Sequence, residues 1–328
     1  LWLIFSEVTP DCGAMSCSRS TRHVMSSSAH AIRSTRGVLR DKASVHRWAA
    51  EFPEEAALLR GKSLVYFNGA FSPPTRAHAY IAAEVCKDPE VDALWLDPEP
   101  ARPGKERWQQ ETLEARVEMC ERSVAEAGLS EAAGVGTLRR DLGPELGTSP
   151  ELFRVLRSLL GGPGEGKLIW ALGADVFAGM KHWSKKAHAC LQPGDTCDEL
   201  LLFVRGEWTE QRLWAAAGDV GHAPCHVRVM PMPRELLGIS SSFARRALVA
   251  ADTERSLNAE CHRTMTPSVA NFCLSRSDVC KIYKEQVAVM SQEQLRTPKT
   301  TTSRSLALEE PMLPGNGVEQ GKRWMARL

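Results

Sequence analysis

The sequence lacks any long apolar run and any excess of charge of one sign. Its longest clean apolar runs, such as Leu200 to Val204, are five residues long, well short of the roughly 18 residues that a membrane-spanning helix needs. The 41 Lys and Arg residues nearly balance the 40 Asp and Glu residues, and the formal net charge is +1. Proteins that bind nucleic acid through bulk electrostatics carry a clear positive excess. The sequence therefore predicts no membrane protein and no nucleic-acid-binding protein.

Closely spaced cysteine pairs are also lacking. The chain has ten cysteines, but none of them form a C-x-x-C motif, so neither a zinc ribbon nor a thioredoxin-type redox site is indicated. We predict no protein-bound metal and interpret the cysteines as reduced thiols of an intracellular protein. The length of 328 residues, with 43% hydrophobic and 25% charged residues, is ordinary for one or two globular domains.

Acidic residues are absent from Cys12 to Arg40, a segment that contains five arginines and seven serines. An acid-free stretch rich in Arg and Ser is typical of organellar transit peptides, and a disordered extension has a similar composition. We therefore expect residues 1–58 to be a disordered or transit-like extension that lies outside the fold. The protein is then cytoplasmic, or organellar if the segment is a transit peptide.

The C-terminal end of the chain is predicted to lie outside the globular domain. Residues 281–328 begin with a helical pattern, and from Ser291 the sequence is polar and interrupted by Pro298, Pro311 and Pro314. Because proline cannot continue a helix or a central strand, we expect a helical start followed by a mobile tail.

Short apolar runs alternate with helical patterns through the remaining residues, 59–280. The runs that read as strands are Leu64–Phe67, Val91–Leu96, Leu168–Leu172, Leu200–Val204 and Val227–Met230. Strands that are continuously apolar and are separated by helices indicate a parallel sheet covered on both faces. The predicted fold class is therefore α/β, with a doubly wound parallel sheet. In such folds ligands bind beyond the carboxyl ends of the strands.

A loop with glycine, proline and hydroxyl residues follows the first predicted strand. It reads Gly69-Ala70-Phe71-Ser72-Pro73-Pro74-Thr75-Arg76-Ala77-His78. Gly69 has no Cβ, so the backbone can turn there and a phosphate can approach its N–H. Thr75 and His78 are three residues apart at a helix start, so they share one face near the positive end of the helix dipole. This arrangement suits a triphosphate, although a Thr-capped turn beside a partly buried His has the same pattern.

A second pattern that suits an anion lies far downstream. It reads Gly238-Ile239-Ser240-Ser241-Ser242-Phe243-Ala244-Arg245-Arg246 and places three hydroxyl residues at the start of a predicted helix. The first turn of a helix has unpaired backbone N–H groups, to which serine hydroxyls add donors. Arg245 lies one turn further on and can reach the same anion. A serine-rich helix start indicates little when it occurs alone.

Together the two motifs resemble the signatures of the nucleotidyltransferase superfamily, (T/H)-x-x-H and I-S-S-T-x-x-R. Within it the chain resembles the nicotinamide/nicotinate mononucleotide adenylyltransferases, particularly the eukaryotic ones. Four further matches carry this likeness: the non-glycine residue Ala77, Gly173-Ala174-Asp175-Val176 before Trp183, S-S-S-F-A-R-R-A-L from Ser240, and Met265-Thr266-Pro267-Ser268-Val269. The resemblance spans about residues 62–276 and implies a Rossmann-like nucleotidyltransferase fold.

The resemblance also implies a reaction and a set of site residues. ATP and nicotinamide or nicotinate mononucleotide would give the dinucleotide, NAD or its deamido form, plus pyrophosphate, with Mg²⁺ accompanying ATP. His78 and Arg245 are the expected catalytic residues. The expected ATP-binding residues are Gly69, Ala70, Phe71, Thr75, His78, Ser240, Ser241, Ser242 and Arg245. The expected mononucleotide-binding residues are Lys105, Asp175 and Trp183, and Arg116 falls where family members carry an Arg.

The chain departs from the family pattern at three points. Ser242 replaces the usual Thr and keeps the hydroxyl. Phe243-Ala244 replaces a usual Lys-x pair, which removes one cation that could contact phosphate. The spacing from Asp175 to Trp183 is shorter than in animal members.

Three other functions stay open at the level of sequence. Pantetheine-phosphate adenylyltransferases share both signatures but lack the G-A-D-V…W segment, and they are normally smaller. A cytidylyltransferase would carry H-x-x-H, whereas this chain has Thr75. From a different class, the chain could be a non-catalytic nucleotide-binding module. The expected partners are ATP and the mononucleotide, and a homo-oligomer stays open.

Overall fold

A computed structural model describes residues 28–100, 112–143, 150–182, 188–204, 208, 210–217, 225–254 and 259–296. The chain divides into two compact units, residues 1–289 and 290–328. Of the second unit, only residues 290–296 are described, as the end of a helix. Within the described ranges, no helix combines the length and the apolar character that crossing a bilayer requires.

The centre of the first unit is a six-stranded sheet in which every neighbouring pair is parallel. Its strands are β1 Ser63–Gly69, β2 Ala93–Pro98, β3 Ala133–Val135, β4 Lys167–Gly173, β5 Glu199–Val204 and β6 His226–Pro231. The strand order is β3-β2-β1-β4-β5-β6. The predicted doubly wound α/β fold is confirmed. The strand order reverses between β1 and β4, and ligands of such sheets bind at that point.

The middle residues of β1, β2, β4 and β5 are apolar and buried because both faces of the sheet are covered there. Successive side chains of a strand point to opposite faces. Leu64 and Tyr66 of β1 therefore lie in one buried cluster, with Trp95 of β2, while Val65 and Phe67 lie in the other. The strand β3 is only three residues long, Ala133–Val135, and has too short an apolar run to be recognised in the sequence.

Helices flank the sheet in the described part of the chain. They are α1 (residues 28–34), α2 Lys42–Glu51, α3 Pro53–Leu59, α4 Arg76–Lys87, α5 Leu113–Glu126, α6 Leu138–Asp141, α7 Pro150–Leu159, α8 Ala174–Gly179, α9 Glu210–Ala217, α10 Ser241–Glu254, α11 Ala259–Thr264, α12 Pro267–Ser275 and α13 Ser277–Arg296. Short 3₁₀ turns occupy Met180–His182, Ala189–Leu191 and Arg234–Leu236.

The expectation that residues up to 58 lie outside the fold is wrong for residues 28–58. These residues form α1, α2 and most of α3, and Ile32, Leu39, Val45 and Trp48 are buried in the same cluster as Leu64 of β1. Asp41 caps α2 by accepting a hydrogen bond from the Ser44 N–H at 2.7 Å. Residues 1–27 of the expected extension lie outside the described residues.

The arginines that suggested a transit peptide include two that make tertiary contacts. Arg36 donates to the Val135 carbonyl at 2.6 Å and pairs with Glu121. Arg33 donates to the Ser130 carbonyl at 3.4 Å. A segment without acidic residues therefore takes its hydrogen-bond acceptors from distant parts of the chain, which a local composition signal does not reveal.

A third buried cluster packs the C-terminal helices against α5. It includes Ala115 and Met119 of α5, Leu248 of α10, Val269 of α12 and Tyr283 of α13. This packing places the start of α10, and therefore the serine-rich motif, close to the loops at the sheet.

A buried carboxyl group lies near the end of β2. Asp97 is fully buried, and its Oδ2 accepts hydrogen bonds from the Tyr66 hydroxyl at 2.7 Å and from the Arg139 N–H at 3.0 Å. Burial raises the pKa of Asp97 to about 7, against the opposing effect of these two hydrogen bonds. Burial also raises the pKa of Tyr66 well above its ordinary value, so its hydroxyl stays a donor.

Asp97→Asn should therefore stabilise the protein more at pH 8 than at pH 5. Because the folded-state pKa of about 7 lies above the ordinary value of 3.8, the contribution of Asp97 to stability is present below pH 3.8 and is lost as the pH rises towards 7. An amide cannot ionise, so it avoids this loss. Between pH 5 and pH 8 we expect the free energy of unfolding of the variant to rise relative to wild type by roughly 1–3 kcal/mol, measured by urea denaturation.

Asp278→Asn is the control for that measurement. A hydrogen bond from Arg276 lowers the pKa of the exposed Asp278 to about 2, so its titration is complete below pH 5. Its effect on unfolding should be equal at pH 5 and pH 8. A constant effect of Asp97→Asn over the same range would contradict the account of Asp97.

Candidate functional site

The two motifs found in the sequence meet where the strand order reverses. The first begins at Gly69, the last residue of β1, and runs into α4. The neighbouring strand β4 ends at Gly173 and leads into α8. The serine-rich motif forms the start of α10. The carboxyl ends of β1 and β4 lie at the same edge of the sheet, which is the expected position for a ligand.

Thr75 and His78 are fixed to each other at the start of α4. His78 Nδ1 lies 3.0 Å from the Thr75 backbone N and 3.1 Å from its hydroxyl oxygen. A backbone N–H can only donate, so Nδ1 is the acceptor and the ring proton of the neutral imidazole lies on Nε2. The capping interaction thus selects a tautomer whose Nε2–H is a hydrogen-bond donor.

Aromatic packing holds the imidazole and the loop before it. The His78 ring meets the Phe71 ring edge-to-face at 5.0 Å between centroids, and Phe71 meets Phe67 in the same way at 5.4 Å. Phe71 has a φ of 45°, in the left-handed region that non-glycine residues seldom adopt. Burial of its ring offsets the cost of that backbone conformation.

Gly69 packs tightly against the same aromatic ring. A Cβ at residue 69 would lie 3.3 Å from the Phe71 Cζ atom, which is tighter than most Cβ contacts, so the ring would have to shift slightly. The Gly69 carbonyl accepts a hydrogen bond from the Glu99 N–H at 2.8 Å. In this structure the missing Cβ makes room for Phe71, a role that sequence reasoning did not foresee.

The serine-rich motif both caps α10 and binds the first loop. Ser240 Oγ accepts from the Phe243 N–H at 3.2 Å, which satisfies one donor of the first turn. Ser241 Oγ donates to the Pro73 carbonyl at 2.9 Å. Two segments about 170 residues apart in the chain are joined directly at this contact.

Arg245 makes the second link between the two motifs. Its side chain is buried, with Nη1 donating to the Ser72 carbonyl at 2.6 Å and Nη2 donating to Ser242 Oγ at 3.0 Å. The structure therefore brings Arg245 and Ser242 beside the loop that carries Thr75 and His78. Buried guanidinium groups at a loop create a positive potential that favours an anion there.

Arg116 holds the same loop from the other side. It is buried at the start of α5, and its Nη1 donates to the Ala70 carbonyl at 2.9 Å and to the Glu99 carbonyl. Arg116 thus lies beside the loop and donates to backbone carbonyls there.

Sequence reasoning missed a polar network beneath the loop. Trp170 of β4 donates to Asn68 Oδ1 at 2.7 Å, Asn68 donates to Glu99, and Glu99 pairs with Arg139. Glu99 and Arg139 are both buried. A polar Asn68 near the end of an apolar strand is the local sign of this network. Its partners come from segments whose adjacency the sequence alone does not reveal.

The residues expected to bind the mononucleotide are only partly described. Asp175 lies in the first turn of α8, exposed to solvent, two residues beyond the end of β4. Lys105 and Trp183 lie outside the described residues. In the described ranges, no three His, Cys, Asp or Glu side chains gather into a group that could hold a metal ion.

No protein-family model matches the chain, but two curated sequences do. A protein of Agrobacterium fabrum described as a probable nicotinate-nucleotide adenylyltransferase is 27% identical over 124 residues, 36% of this chain and 59% of that protein. The match thus spans less than two thirds of that relative. A Brucella suis protein with the same description is 24% identical over 197 residues, 56% of this chain and 91% of that protein.

The fold has a counterpart among solved structures. A nicotinic acid mononucleotide adenylyltransferase of Plasmodium falciparum superposes with a TM-score of 0.51 at 14% sequence identity, covering 68% of this chain and 98% of that one. At this identity the likeness concerns the fold. The curated sequence matches share one description, and the two nucleotidyltransferase signatures meet at one point of the matching fold. In sequence, the chain is therefore similar to two probable nicotinate-nucleotide adenylyltransferases, at 27% and 24% identity.

Proposed function

We propose that the chain transfers the adenylyl group of ATP to nicotinamide or nicotinate mononucleotide, giving the dinucleotide and pyrophosphate. One observation carries the proposal. The T-x-x-H loop and the serine-rich helix start lie against each other, joined by the contacts of Arg245 with Ser72 and of Ser241 with Pro73. A nucleotide-binding site at this edge of the sheet is also where doubly wound folds bind their ligands.

In the proposed step, a 5′-phosphate oxygen of the mononucleotide attacks the α-phosphorus of ATP. A new P–O bond forms while the bond from the α-phosphorus to the bridging oxygen breaks, and pyrophosphate leaves with that electron pair. The nucleophile is already anionic, so no general base is needed. The protein contributes by aligning the two substrates and by stabilising the charge that develops in the transition state.

The residues at the first loop fit the role of binding the α-phosphate. The Thr75 cap places the ring proton of His78 on Nε2, and we assign this Nε2–H to an α-phosphate oxygen. Thr75 and the backbone N–H groups near Gly69, Ala70 and Phe71 would cradle the triphosphate. The positive end of the α4 dipole adds to their attraction for phosphate.

The start of α10 fits the role of binding the β- and γ-phosphates. Ser240, Ser241 and Ser242 surround the first turn, whose backbone N–H groups favour anions. Arg245 supplies a charged group that is already oriented by Ser72 and Ser242. A pre-oriented guanidinium stabilises developing negative charge without further reorganisation.

In this proposal the mononucleotide binds on the β4 side of the site. Asp175 follows β4 and is exposed at the point where the strand order reverses. We assign it, with Lys105 and Trp183, to the mononucleotide, and Trp183 to stacking on the pyridine ring.

Mg²⁺ is proposed to enter with ATP. The described part of the site offers hydroxyls, an imidazole and guanidinium groups, and carboxylates are the usual protein ligands of Mg²⁺. A cation bound to phosphate oxygens fits this set of donors better than one held by the chain. When bound, Mg²⁺ would offset the charge of the departing pyrophosphate.

A pyrophosphate-release assay tests the proposal directly. The chain is supplied with ATP and Mg²⁺ and, separately, with nicotinate mononucleotide, nicotinamide mononucleotide or phosphopantetheine. We expect pyrophosphate and dinucleotide with at least one pyridine mononucleotide and none with phosphopantetheine. Release with phosphopantetheine alone would favour the pantetheine-phosphate alternative, and ATP binding without any release would indicate a non-catalytic module.

Substitution of His78 should lower turnover without a comparable change in the Michaelis constant for ATP. Removal of a donor that acts mainly in the transition state typically costs about 10²–10³ in turnover. His78→Ala removes both the donor and the cap, whereas His78→Asn keeps a side-chain acceptor for the Thr75 N–H. Both variants should lose turnover to that extent, and only His78→Ala should also lose about 1 kcal/mol of stability, measured by thermal unfolding.

His46→Ala is the matched control, because His46 is exposed on α2, away from the two motifs. It should keep wild-type turnover. If His78→Asn is as active as wild type, the assignment of His78 to the α-phosphate is wrong.

The chain is proposed to act inside the cell, in the cytoplasm or in an organelle. Residues 28–58 belong to the fold, so they are not a removable transit peptide. Residues 1–27, which include Arg19 and Arg22, stay a candidate targeting segment. A reporter fused to residues 1–27 should reach an organelle if that segment is a targeting signal. A reporter that stays diffuse in the cytosol would show that it is not, and residues 28–58 fused alone should never redirect the reporter.

A further inference from the structure

Residue 243 is the position at which the serine-rich motif has lost a cation. Family members carry Lys there, and this chain has Phe243 in the first turn of α10. Two arginines nevertheless lie on its ring. The Arg263 guanidinium carbon is 4.8 Å from the ring centroid, and that of Arg246 is 5.6 Å from it. Cations at such distances are attracted by the negative face of an aromatic ring.

The short helix α11 brings Arg263 to this position. The neighbouring residue His262 accepts a hydrogen bond at its carbonyl from Arg76 Nη1 at 3.2 Å. Arg76 is the first residue of α4, directly after Thr75. Residues 262 and 263 therefore contact the first turns of both helices that form the proposed phosphate site.

We infer that Arg263, held on the ring of Phe243, supplies the positive charge that residue 243 lacks and binds the outer phosphates of ATP and of the pyrophosphate product. This inference rests on the proposed function of the site. A guanidinium can stack on a ring with its flat face while its edge donates hydrogen bonds, so Phe243 and a phosphate can be contacted together.

Glu260 modulates the proposed contact between Arg263 and phosphate. Its Oε2 accepts hydrogen bonds from Arg263 Nε at 3.2 Å and from Nη2 at 2.8 Å. Both side chains are more than half exposed, at 57% for Arg263 and 51% for Glu260. The carboxylate keeps the arginine near α10 and at the same time offsets part of its charge. Arg263 is thus the group that touches the phosphate, and Phe243 and Glu260 are positioning residues.

Binding of Mg²⁺-ATP, pyrophosphate and AMP by isothermal titration calorimetry tests this inference. Arg263→Gln should weaken the binding of Mg²⁺-ATP and of pyrophosphate by about three- to tenfold, the effect of one charged contact near solvent. The affinity for AMP should stay the same, because AMP has no outer phosphates. Phe243→Lys in the Arg263→Gln background should restore the affinity for Mg²⁺-ATP, since it returns a cation to the first turn of α10.

Arg276→Gln is the matched control. Arg276 also lies over a phenylalanine ring, that of Phe272 at 5.6 Å, and pairs with a nearby carboxylate, Asp278. Its loss should leave all three affinities unchanged. Glu260→Gln should have the opposite effect to Arg263→Gln and tighten pyrophosphate binding, because it removes a competing negative charge.

Wild-type affinity for pyrophosphate in Arg263→Gln, or an equal loss of affinity for AMP, would overturn the inference. The proposed function is tested separately by dinucleotide formation in the wild-type chain. A wild-type chain that binds Mg²⁺-ATP through Arg263 and forms no dinucleotide would contradict the proposed reaction and leave this inference intact.

Discussion

The candidate site depends on hydrogen bonds to two adjacent backbone carbonyls, those of Ser72 and Pro73. Arg245 donates to the first and Ser241 to the second, and together they join the loop after β1 to the start of α10. Both contacts depend on the relative positions of the loop after β1 and the C-terminal helices. Since Arg245 is buried, it would be costly to leave it without these acceptors. The same contacts that complete the fold therefore also assemble the two halves of the proposed phosphate site.

The polar groups around the loop divide into two sets. Arg116 and Arg245 donate to loop carbonyls and fix the shape of the backbone. Thr75 caps α4 and fixes the His78 tautomer. The first set places two buried guanidinium groups at the loop, and the second set orients one neutral donor. A triphosphate that is cleaved at its α-phosphorus requires both features, a positive environment for the outer phosphates and an oriented donor at the reacting one.

The sequence predicts the strands and the two motifs because both are local signals. Five of the six strands contain short, mostly apolar runs, and each motif lies within about ten residues. The parts that sequence reasoning missed depend on long-range partners. The segment before residue 59 has a composition typical of disorder, since it has few acidic partners for its arginines. Arg33 and Arg36 instead donate to the carbonyls of residues 130 and 135, which the local sequence does not reveal. The network of Asn68 with Glu99 forms only because β1 and β2 are neighbours in the sheet. The close packing of Phe71 on Gly69 and the contact of Arg263 with Phe243 also appear only in three dimensions.

The central claim is that the two motifs act as one site for the triphosphate. Amide hydrogen exchange, measured while a non-hydrolysable ATP analogue is titrated with Mg²⁺, tests it most directly. If the motifs form one site, residues 69–78 and residues 240–245 should become protected together, with the same midpoint of the titration. Protection of only one segment, or of the two at clearly different analogue concentrations, would contradict the account.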